Sequence, residues 1–240
     1  MCLIALALHQ HPAYPLALIA NRDELHARPT AAAGADPGHP QVYGGRDLVQ
    51  GGGWLMVSRG ALVRYFAAGN GDVDAFLDVV AADAGGYGPF NLVTWDGRSL
   101  AYAGNHPRFA RHPVAPGLHA VSNGSFDAPW PKSNLASRAL AAWMDKGLPG
   151  DARDADIAPL LAALANESPA RDEELPDTGV GRELERRLSP PFVRDAVYGT
   201  RCSSVVLVQE HGIRFVERRF GADAEVIGES DTWIGGRGAT

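Results

Sequence analysis

Two short apolar runs near the amino terminus restrict the fold more than any other feature of this sequence. Residues 2–9 and 16–20 have the length and composition of buried strands, and the intervening HQHPAYP contains two prolines, which suit a turn. We therefore predict an antiparallel hairpin. The second run ends abruptly at the four hydrogen-bonding side chains of NRDE, residues 21–24. A hairpin would place this polar cluster beside the start of the first strand.

Elements of the same type are grouped along the rest of the chain. Residues 26–53 are rich in Gly and Pro and are predicted to form a surface loop before a strand at 54–58. One helix is predicted after its N-cap residue Asp72, and another begins at Pro131. The remaining predicted elements are a hairpin around Asp96-Gly97, a strand at 118–123, a helical stretch at 155–166, and strands at 203–209 and 213–220. This grouping favours an antiparallel α+β layer structure over βαβ repeats.

The composition predicts one soluble domain, residues 1–240, in the cytoplasm. The chain has no low-complexity tract, tandem repeat or Ser/Gly linker. Its formal charge of -6 argues against nucleic acid or an anionic membrane as the main partner. The opening MCLIALALHQ is apolar for only seven residues and has no Lys or Arg before them, so we predict neither a signal peptide nor a membrane span.

The cysteines and histidines do not predict a disulfide framework or a metal site. Cys2 and Cys202 are the only cysteines, so they can form one internal disulfide at most, and no His/Cys cluster has zinc-ligand spacing. His9 and His11 alternate along the first strand and are expected to share a face. Two histidines without a third ligand make a poor metal site, and we predict no metal and no resident cofactor.

Cys2 combines two reactive groups if the initiator methionine is removed. A small residue at position 2 permits that removal, which would leave a thiol and a free α-amine on one residue. The thiolate is the nucleophile, and an α-amine with a pKa of about 7.7–8.0 can take the thiol proton. Within the predicted hairpin, Asp23 can hold the amine and Arg22 can lower the thiol pKa. Two alternatives remain open. In the first, Cys2 only packs as a small hydrophobic residue; in the second, NRDE is a solvated turn with salt-bridged charges.

Long segments of the chain resemble, in order, the sequences of one protein family. They are MCLIALAL, ANRDELHARPTAAA, VYGGRDLVQGGGWLMVSRG, HAVSNGSFDAPWPK, LPDTGVG and YGTRCSSVVLV followed by FVERRF. The chain resembles the NRDE proteins, also called the transport and Golgi organisation family. These are similar in turn to the N-terminal nucleophile (Ntn) hydrolases of the penicillin V acylase and bile-salt hydrolase type. The resemblance implies an Ntn-hydrolase-like αββα sandwich, in which two antiparallel sheets pack face to face between helical layers.

The resemblance also implies roles for five residues. Cys2 matches the nucleophile, and Asp23 matches the aspartate that anchors the terminal amine. Asn123 matches an asparagine that helps to bind the amide oxygen, and Arg201 matches a late arginine near the nucleophile. In the acylases the early arginine lies three residues before the aspartate, where this chain has alanine. Arg22 can take the role of that arginine only if the length of its side chain compensates for the different position in the sequence.

The chain departs from the family pattern after Ser58. The family usually runs from VSR through another strand, which ends in an Asn-x-Arg element, before it reaches SRGxLVR. Here MVSRGALVRYFAAG passes directly from the first motif to the second. The missing piece contains the asparagine that corresponds to the principal oxyanion-hole side chain of the acylases. Losing one such donor costs on the order of a hundredfold to a thousandfold in rate.

Two functions of different classes remain open. In the first, the protein is an amidase or acyl hydrolase for a small amide or acyl substrate, with Cys2 as nucleophile and Asn123 in the oxyanion hole. In the second, it is a non-catalytic binding or trafficking protein for haem or a lipid, as suggested for the wider family. Its cleft would then be lined by Trp, with Arg22 and Arg201 at the mouth to hold a ligand carboxylate. The Cys2/Asp23 pair favours the enzyme, and the missing segment favours the binding protein.

Overall fold

The protein is built from three antiparallel sheets and, among the residues described, four α-helices. The computed structural model describes residues 2–58, 61–62 and 72–235, with the backbone alone at 61–62. Contacts divide the chain into two units, Met1–Arg28 with Pro116–Thr240, and Pro29–Ala115. The predicted combination of antiparallel sheets and helices is confirmed. The face-to-face αββα packing, the single domain and the cytoplasmic location remain predictions.

The elements follow one another in the grouped order that the sequence predicts. They are β1 (Cys2–His11), β2 (Tyr14–Leu25), β3 (Thr30–Ala35), β4 (Tyr43–Asp47), β5 (Gly53–Ser58), β6 (Ala61–Leu62), α1 (Val73–Ala82), β7 (Asn91–Trp95), β8 (Leu100–Gly104), β9 (Ala110–Pro113), β10 (Gly117–Val121), α2 (Pro131–Met144), α3 (Ala158–Leu164), α4 (Arg182–Leu188), β11 (Tyr198–Gln209), β12 (Gly212–Phe220) and β13 (Val226–Gly235). None of the described helices has both the length and the apolar character needed to cross a membrane.

The first unit contains a six-stranded sheet in the order β10-β1-β2-β11-β12-β13. The predicted amino-terminal hairpin is confirmed, and its register places Cys2 directly opposite Arg22. One face of this sheet packs against α2 and α3, because the apolar sides of both helices need a partner in the core. The sheet side chains on that face include Leu3, Ile19 and Val205. This core supports β1 and the NRDE residues at the end of β2.

The end of β2 is buried, so the alternative of a solvated turn is wrong for most of the NRDE cluster. Asn21, Arg22 and Asp23 are 0%, 4% and 3% exposed. The Asn21 side chain lies on the face that α3 covers, where its Nδ2 donates to the carbonyls of Leu164 and Pro191, at 2.8 Å each. Its Oδ1 accepts a bond of 2.6 Å from the Ser203 hydroxyl. Asn21 therefore fastens the end of α3 and the segment after α4 to the sheet.

Two of the predicted helix starts agree with the structure, whereas the helix predicted at 155–166 is shorter, Ala158–Leu164. Asp72 is the N-cap of α1 and accepts a bond of 2.7 Å from the Ala75 backbone N–H. Pro131 occupies the first turn of α2, where its missing N–H has no helical acceptor to lose. The Asp96-Gly97 turn between β7 and β8 also forms, and the Asp96 carboxylate accepts from the backbone of the turn.

The second unit contains a sheet of β3, β4, β5 and β6, a sheet of β7, β8 and β9, and helix α1. The prediction of a surface loop over residues 26–53 is wrong, because β3 and β4 lie within it. The glycines that suggested a loop are needed inside β4: a Cβ at Gly44 would stand 2.1 Å from the Leu55 carbonyl oxygen. The missing side chain permits this close approach of neighbouring backbones.

The regular strand alternation on which the prediction for His9 and His11 depends is interrupted. The β1–β2 register shifts between Leu8 and His11, and His9 has a φ of 51°. A residue in this left-handed region interrupts the two-residue alternation of a strand. The spacing of the two histidines in the sequence therefore does not give their relative direction.

Candidate active site

The backbone and thiol of Cys2 are held by residues from both neighbouring strands. The Cys2 backbone nitrogen donates to Asn123 Oδ1 at 3.1 Å, and the Ser122 hydroxyl donates to the Cys2 carbonyl at 2.7 Å. The backbone N–H of Asp23 donates to the Cys2 sulfur. Strand β10 pairs with β1 so that Ile4 faces Val121, and the next two residues after β10 continue toward Cys2. Asn123 is exposed, so its side chain stands where a ligand can reach it.

Cys2, Arg22 and Cys202 form a row across β1, β2 and β11. Arg22 is the register partner of both cysteines, and directly opposed residues of antiparallel strands point to the same face. Its Nη2 also lies 3.7 Å from Glu24 Oε2. The two cysteines are separated by two strand spacings, about 9–10 Å, which is too far for a disulfide. Both are free thiols.

The Cys2 thiol is held mainly in its neutral form. Burial raises the pKa of Cys2 most, and the charge of Asp23 raises it further. The amino-terminal charge, the Asp23 backbone N–H and the Arg22 guanidinium act in the opposite direction and lower the thiol pKa. The influence of Arg22 has the expected sign, but burial outweighs it. Nucleophilic attack by this sulfur therefore needs a base that removes its proton.

The Asp23 carboxylate lies on the face of the sheet that the helices cover. Its Oδ1 accepts a bond of 2.7 Å from the Thr200 hydroxyl, and its backbone carbonyl accepts one of 3.3 Å from the Tyr198 hydroxyl. Burial raises the pKa of Asp23, whereas the charges of Lys132 and of the amino terminus are the next largest influences and lower it. This carboxylate is thus ionised only to the extent that nearby positive charge compensates for its burial.

Lys132 is a functional candidate that we did not identify from the sequence. It begins the buried side of α2, is 2% exposed, and donates from Nζ to the Leu188 carbonyl at 3.0 Å. Burial lowers its pKa, while electrostatic interactions with Asp23, Cys2 and Glu185 raise it. A signal was present: positions 132, 136, 140 and 143 have helical spacing on one apolar side. A lysine on such a side is unusual and needs a counter-charge.

Arg201 occupies a bulge beside this site. Thr200 is opposite Asp23 and Cys202 is opposite Arg22, so Arg201 has no partner of its own in the register. Its Nη1 donates to the carbonyls of Leu25 and Arg28, at 2.9 and 3.1 Å. The structure thus brings Cys2, Arg22, Asp23 and Asn123 together, while the Arg201 guanidinium braces the chain that leaves β2.

A cleft of about 570 Å³ lies in the same unit, next to this polar cluster. Its apolar lining is Pro169, Leu184, Leu188, Pro190, Phe192 and Val193, its charged lining is Glu167, Arg186, Arg187, Arg194 and Asp195, and Tyr198 completes it. Neither Arg22 nor Arg201 lines this cleft, and its described lining contains no Trp. The Trp-lined cleft expected from the sequence is therefore not this one.

The segment predicted to be missing lies next to residues outside the described ranges, namely 59–60 and 63–71. The comparison with protein families bears on this region. The family model described as Transport and Golgi organisation 2 matches residues 1–58 and 55–222, in two parts that overlap at residues 55–58. A break in the match therefore coincides with the departure seen in the sequence.

Individual relatives resemble nearly the whole chain. The Bos taurus protein named "Transport and Golgi organization protein 2 homolog" is 33% identical over 264 residues, covering 91% of this chain and 92% of that protein. The Mus musculus "Transport and Golgi organization 2 homolog" and the Homo sapiens "Transport and Golgi organization protein 2 homolog" are each 28% identical over 262 residues, with the same two coverages. The chain therefore belongs to the Transport and Golgi organisation 2 family.

Proposed function

We propose that the protein is a cysteine amidase or acyl hydrolase of the N-terminal nucleophile type, acting on a small amide or acyl substrate. One observation carries this proposal: Ser122 and the exposed Asn123, which follow β10, bind the carbonyl and nitrogen of Cys2, respectively, and Asp23 of β2 binds its sulfur. A cysteine with only a packing role requires no such fixation of its backbone. The arrangement suits a residue whose thiol and amine must stay in a fixed orientation so that the amine can take the thiol proton.

The reaction begins after removal of Met1, when the nitrogen of Cys2 becomes an α-amine. This amine takes the thiol proton, and the sulfur attacks the substrate carbonyl to form a tetrahedral oxyanion. Collapse of the intermediate breaks the bond to the leaving group, which receives the proton from the α-ammonium. An acyl-cysteine remains. Water then attacks it with the α-amine as base, and the thiol and a carboxylic acid are released.

The oxyanion needs donors, and Asn123 is the side chain best placed to supply one. Its Oδ1 is engaged by the Cys2 nitrogen, so its amide NH₂ is the end that remains to donate toward the substrate oxygen. The asparagine that the acylases use for this purpose belongs to the segment that this chain lacks. We therefore expect hydrolysis to be slow compared with that of the acylases.

The amino terminus of the purified protein tests this proposal. We expect an intact mass that begins at Cys2, because a small second residue permits removal of Met1. A Cys2→Leu variant should retain Met1, which provides the mass reference for the unprocessed chain. Retention of Met1 in all of the wild-type protein would contradict the proposal, since the free amine would then belong to the wrong residue.

A second candidate is a non-catalytic protein that binds haem or a lipid. Two observations favour it. The family match is divided near Ser58, and the lining of the 570 Å³ cleft combines apolar side chains with three arginines. Arg187 pairs with Asp195, and Arg194 pairs with Glu167. Partly exposed pairs of this kind contribute about 0–1 kcal/mol, so a ligand carboxylate can replace the protein carboxylate at little cost. A role in transport, which the relatives' names express for those proteins, belongs to this candidate.

Absorbance titration with haem distinguishes this candidate. If the cleft binds haem through its propionates, Arg187→Gln/Arg194→Gln should weaken binding by about tenfold or more, because two charge-assisted contacts are lost. Arg98→Gln, which changes an exposed arginine in the other unit, is the matched control and should leave binding unchanged. Absence of saturable binding, or equal binding by all three proteins, would exclude the cleft as a haem site.

A further inference from the structure

The use of lysine in this chain is unusual. Of 22 basic residues, only Lys132 and Lys146 are lysines, and the others are arginines. Lys146 is exposed just beyond the end of α2, whereas Lys132 is 2% exposed at its beginning. A buried ammonium is costly unless its three N–H groups and its charge are compensated. The position of Lys132 therefore requires an explanation in terms of its neighbours.

The charged groups around Lys132 come from three other elements. Asp23 on β2, Cys2 on β1 and Glu185 on α4 act on it electrostatically, and Nζ donates to the Leu188 carbonyl at the end of α4. Glu185 is itself 4% exposed and accepts from the backbone N–H and hydroxyl of Thr178. Asp23, in turn, is 3% exposed, bonded to Thr200, and close to the charges of Arg22 and the amino terminus.

This environment makes Lys132 the principal positive side-chain charge acting on Asp23. Arg22 carries its guanidinium on the opposite face of the sheet, beside the thiols, and acts on Asp23 more weakly than Lys132 does. Helix α2 packs on the same face of the sheet as the Asp23 side chain, so Lys132 approaches it from the helical layer. The two charges are both desolvated, and their attraction is little screened by water.

We propose that Lys132 is a positioning residue that keeps the buried Asp23 carboxylate ionised, so that this carboxylate can hold the α-amine of a processed Cys2. The second half of this statement rests on the proposed function, and the first half does not. Lys132 itself does not touch the substrate. Its compact ammonium suits the task better than a guanidinium, because a point charge fits a small buried site and needs fewer hydrogen-bond acceptors.

The low lysine content makes a direct test possible. In protein labelled with ¹³C-lysine, NMR should show the two lysine side chains, with Lys146 as the internal exposed reference. We expect the pKa of Lys132 to fall when Asp23→Asn removes the stabilising negative charge, and that of Lys146 to stay constant. An unchanged Lys132 pKa in the Asp23→Asn variant would overturn the proposal.

The wild-type protein provides a second measurement if Asp23→Asn does not fold. Because the two groups interact, the Lys132 resonance should show a further inflection at acid pH, where Asp23 takes up its proton. Burial raises the pKa of Asp23, so Asp23 takes up its proton above the pH range of an ordinary aspartate, and the inflection of the Lys132 resonance should appear there. A Lys132 resonance that does not respond throughout the acid range would overturn the proposal without any variant.

Thiol labelling then connects the pair with Cys2. Lys132→Met should slow alkylation of Cys2 at neutral pH by about three- to tenfold and move its pH profile upward, because a positive charge near the thiolate is lost. Lys132→Arg keeps the positive charge and should retain more of the rate than Lys132→Met, whereas Lys146→Met should have no effect. If the NMR coupling is present but Met1 is retained, the Lys132–Asp23 pair stands and the proposed hydrolase fails. If Met1 is removed and the coupling is absent, the Lys132–Asp23 pair fails and the proposed hydrolase passes this test.

Discussion

Cys2→Ala will abolish acyl-probe labelling and reduce hydrolysis of a small amide or acyl substrate by at least about a thousandfold, with an unchanged unfolding midpoint. The large effect is expected because this substitution removes the atom that forms the covalent intermediate, and the remaining groups only bind and polarise the carbonyl. The fold should tolerate the change, since Cys2 is only partly buried at the first position of β1. Its backbone bonds to Asn123 and Ser122 do not involve the side chain.

Two further variants make this result specific. Cys2→Ser keeps a small nucleophilic side chain and also permits removal of Met1, so labelling that persists at a much lower rate would identify the oxygen as a poor replacement. Cys202→Ala removes the other thiol, which is 2% exposed and whose pKa burial raises well above its ordinary value. It should therefore keep the labelling of the wild type. Full hydrolysis by Cys2→Ala would exclude Cys2 as the nucleophile.

Asn21→Ala will reduce the free energy of unfolding by about 3 kcal/mol or more. Asn21 is fully buried, and its side chain is bonded to the Leu164 and Pro191 carbonyls and to the Ser203 hydroxyl. Truncation leaves these three groups without that partner in the interior, and each buried group left unsatisfied costs about 1–3 kcal/mol. Urea unfolding followed by circular dichroism measures the change, and the m-value should stay constant.

The matched control for this measurement is Asn91→Ala. Asn91 is exposed at the start of β7, where its Oδ1 accepts from the Tyr102 hydroxyl. Water can replace that bond, so we expect a loss within about 1 kcal/mol. A loss of similar size in both variants would show that burial of the NRDE asparagine has no special importance. The stability of a domain is about 5–15 kcal/mol, so the predicted difference is easily resolved.

The NRDE cluster performs two tasks because alternate residues of a strand point to opposite faces. Asn21 points to the helical layer and fastens it, whereas Arg22 points to the face of Cys2 and Cys202. Asp23 again points to the helical layer, where Thr200 and Lys132 lie near its carboxylate. The stability of the strand end and the chemistry proposed for Cys2 thus depend on neighbouring positions.

Predictions from the sequence succeeded where the signal is local. The hairpin of β1 and β2 follows from two apolar runs and a turn, and the cap at Asp72 follows from a side chain that bonds to its own helix. The turn at Asp96-Gly97 likewise needs only its own backbone. Each of these features depends on residues within a few positions of one another, so composition and spacing are sufficient.

Predictions failed where a distant neighbour determines the outcome. Strand β4 contains glycines because the backbone at Leu55 lies against it, and the same glycines read in isolation indicate a loop. Strand β13 was not predicted, because its partly exposed residues have no clear strand pattern and the strand forms by pairing with β12.

The sequence alone determined that Cys2 begins a strand whose hairpin partner runs into the NRDE cluster, because two apolar runs and a turn between them predict the hairpin. Only the tertiary structure showed that Lys132 is buried beside this pair. Burial and charge compensation depend on which helix packs on which face of the sheet, and that contact joins residues more than a hundred positions apart. The environment of the site is therefore a property of packing, while its position at the start of the chain is a property of the sequence.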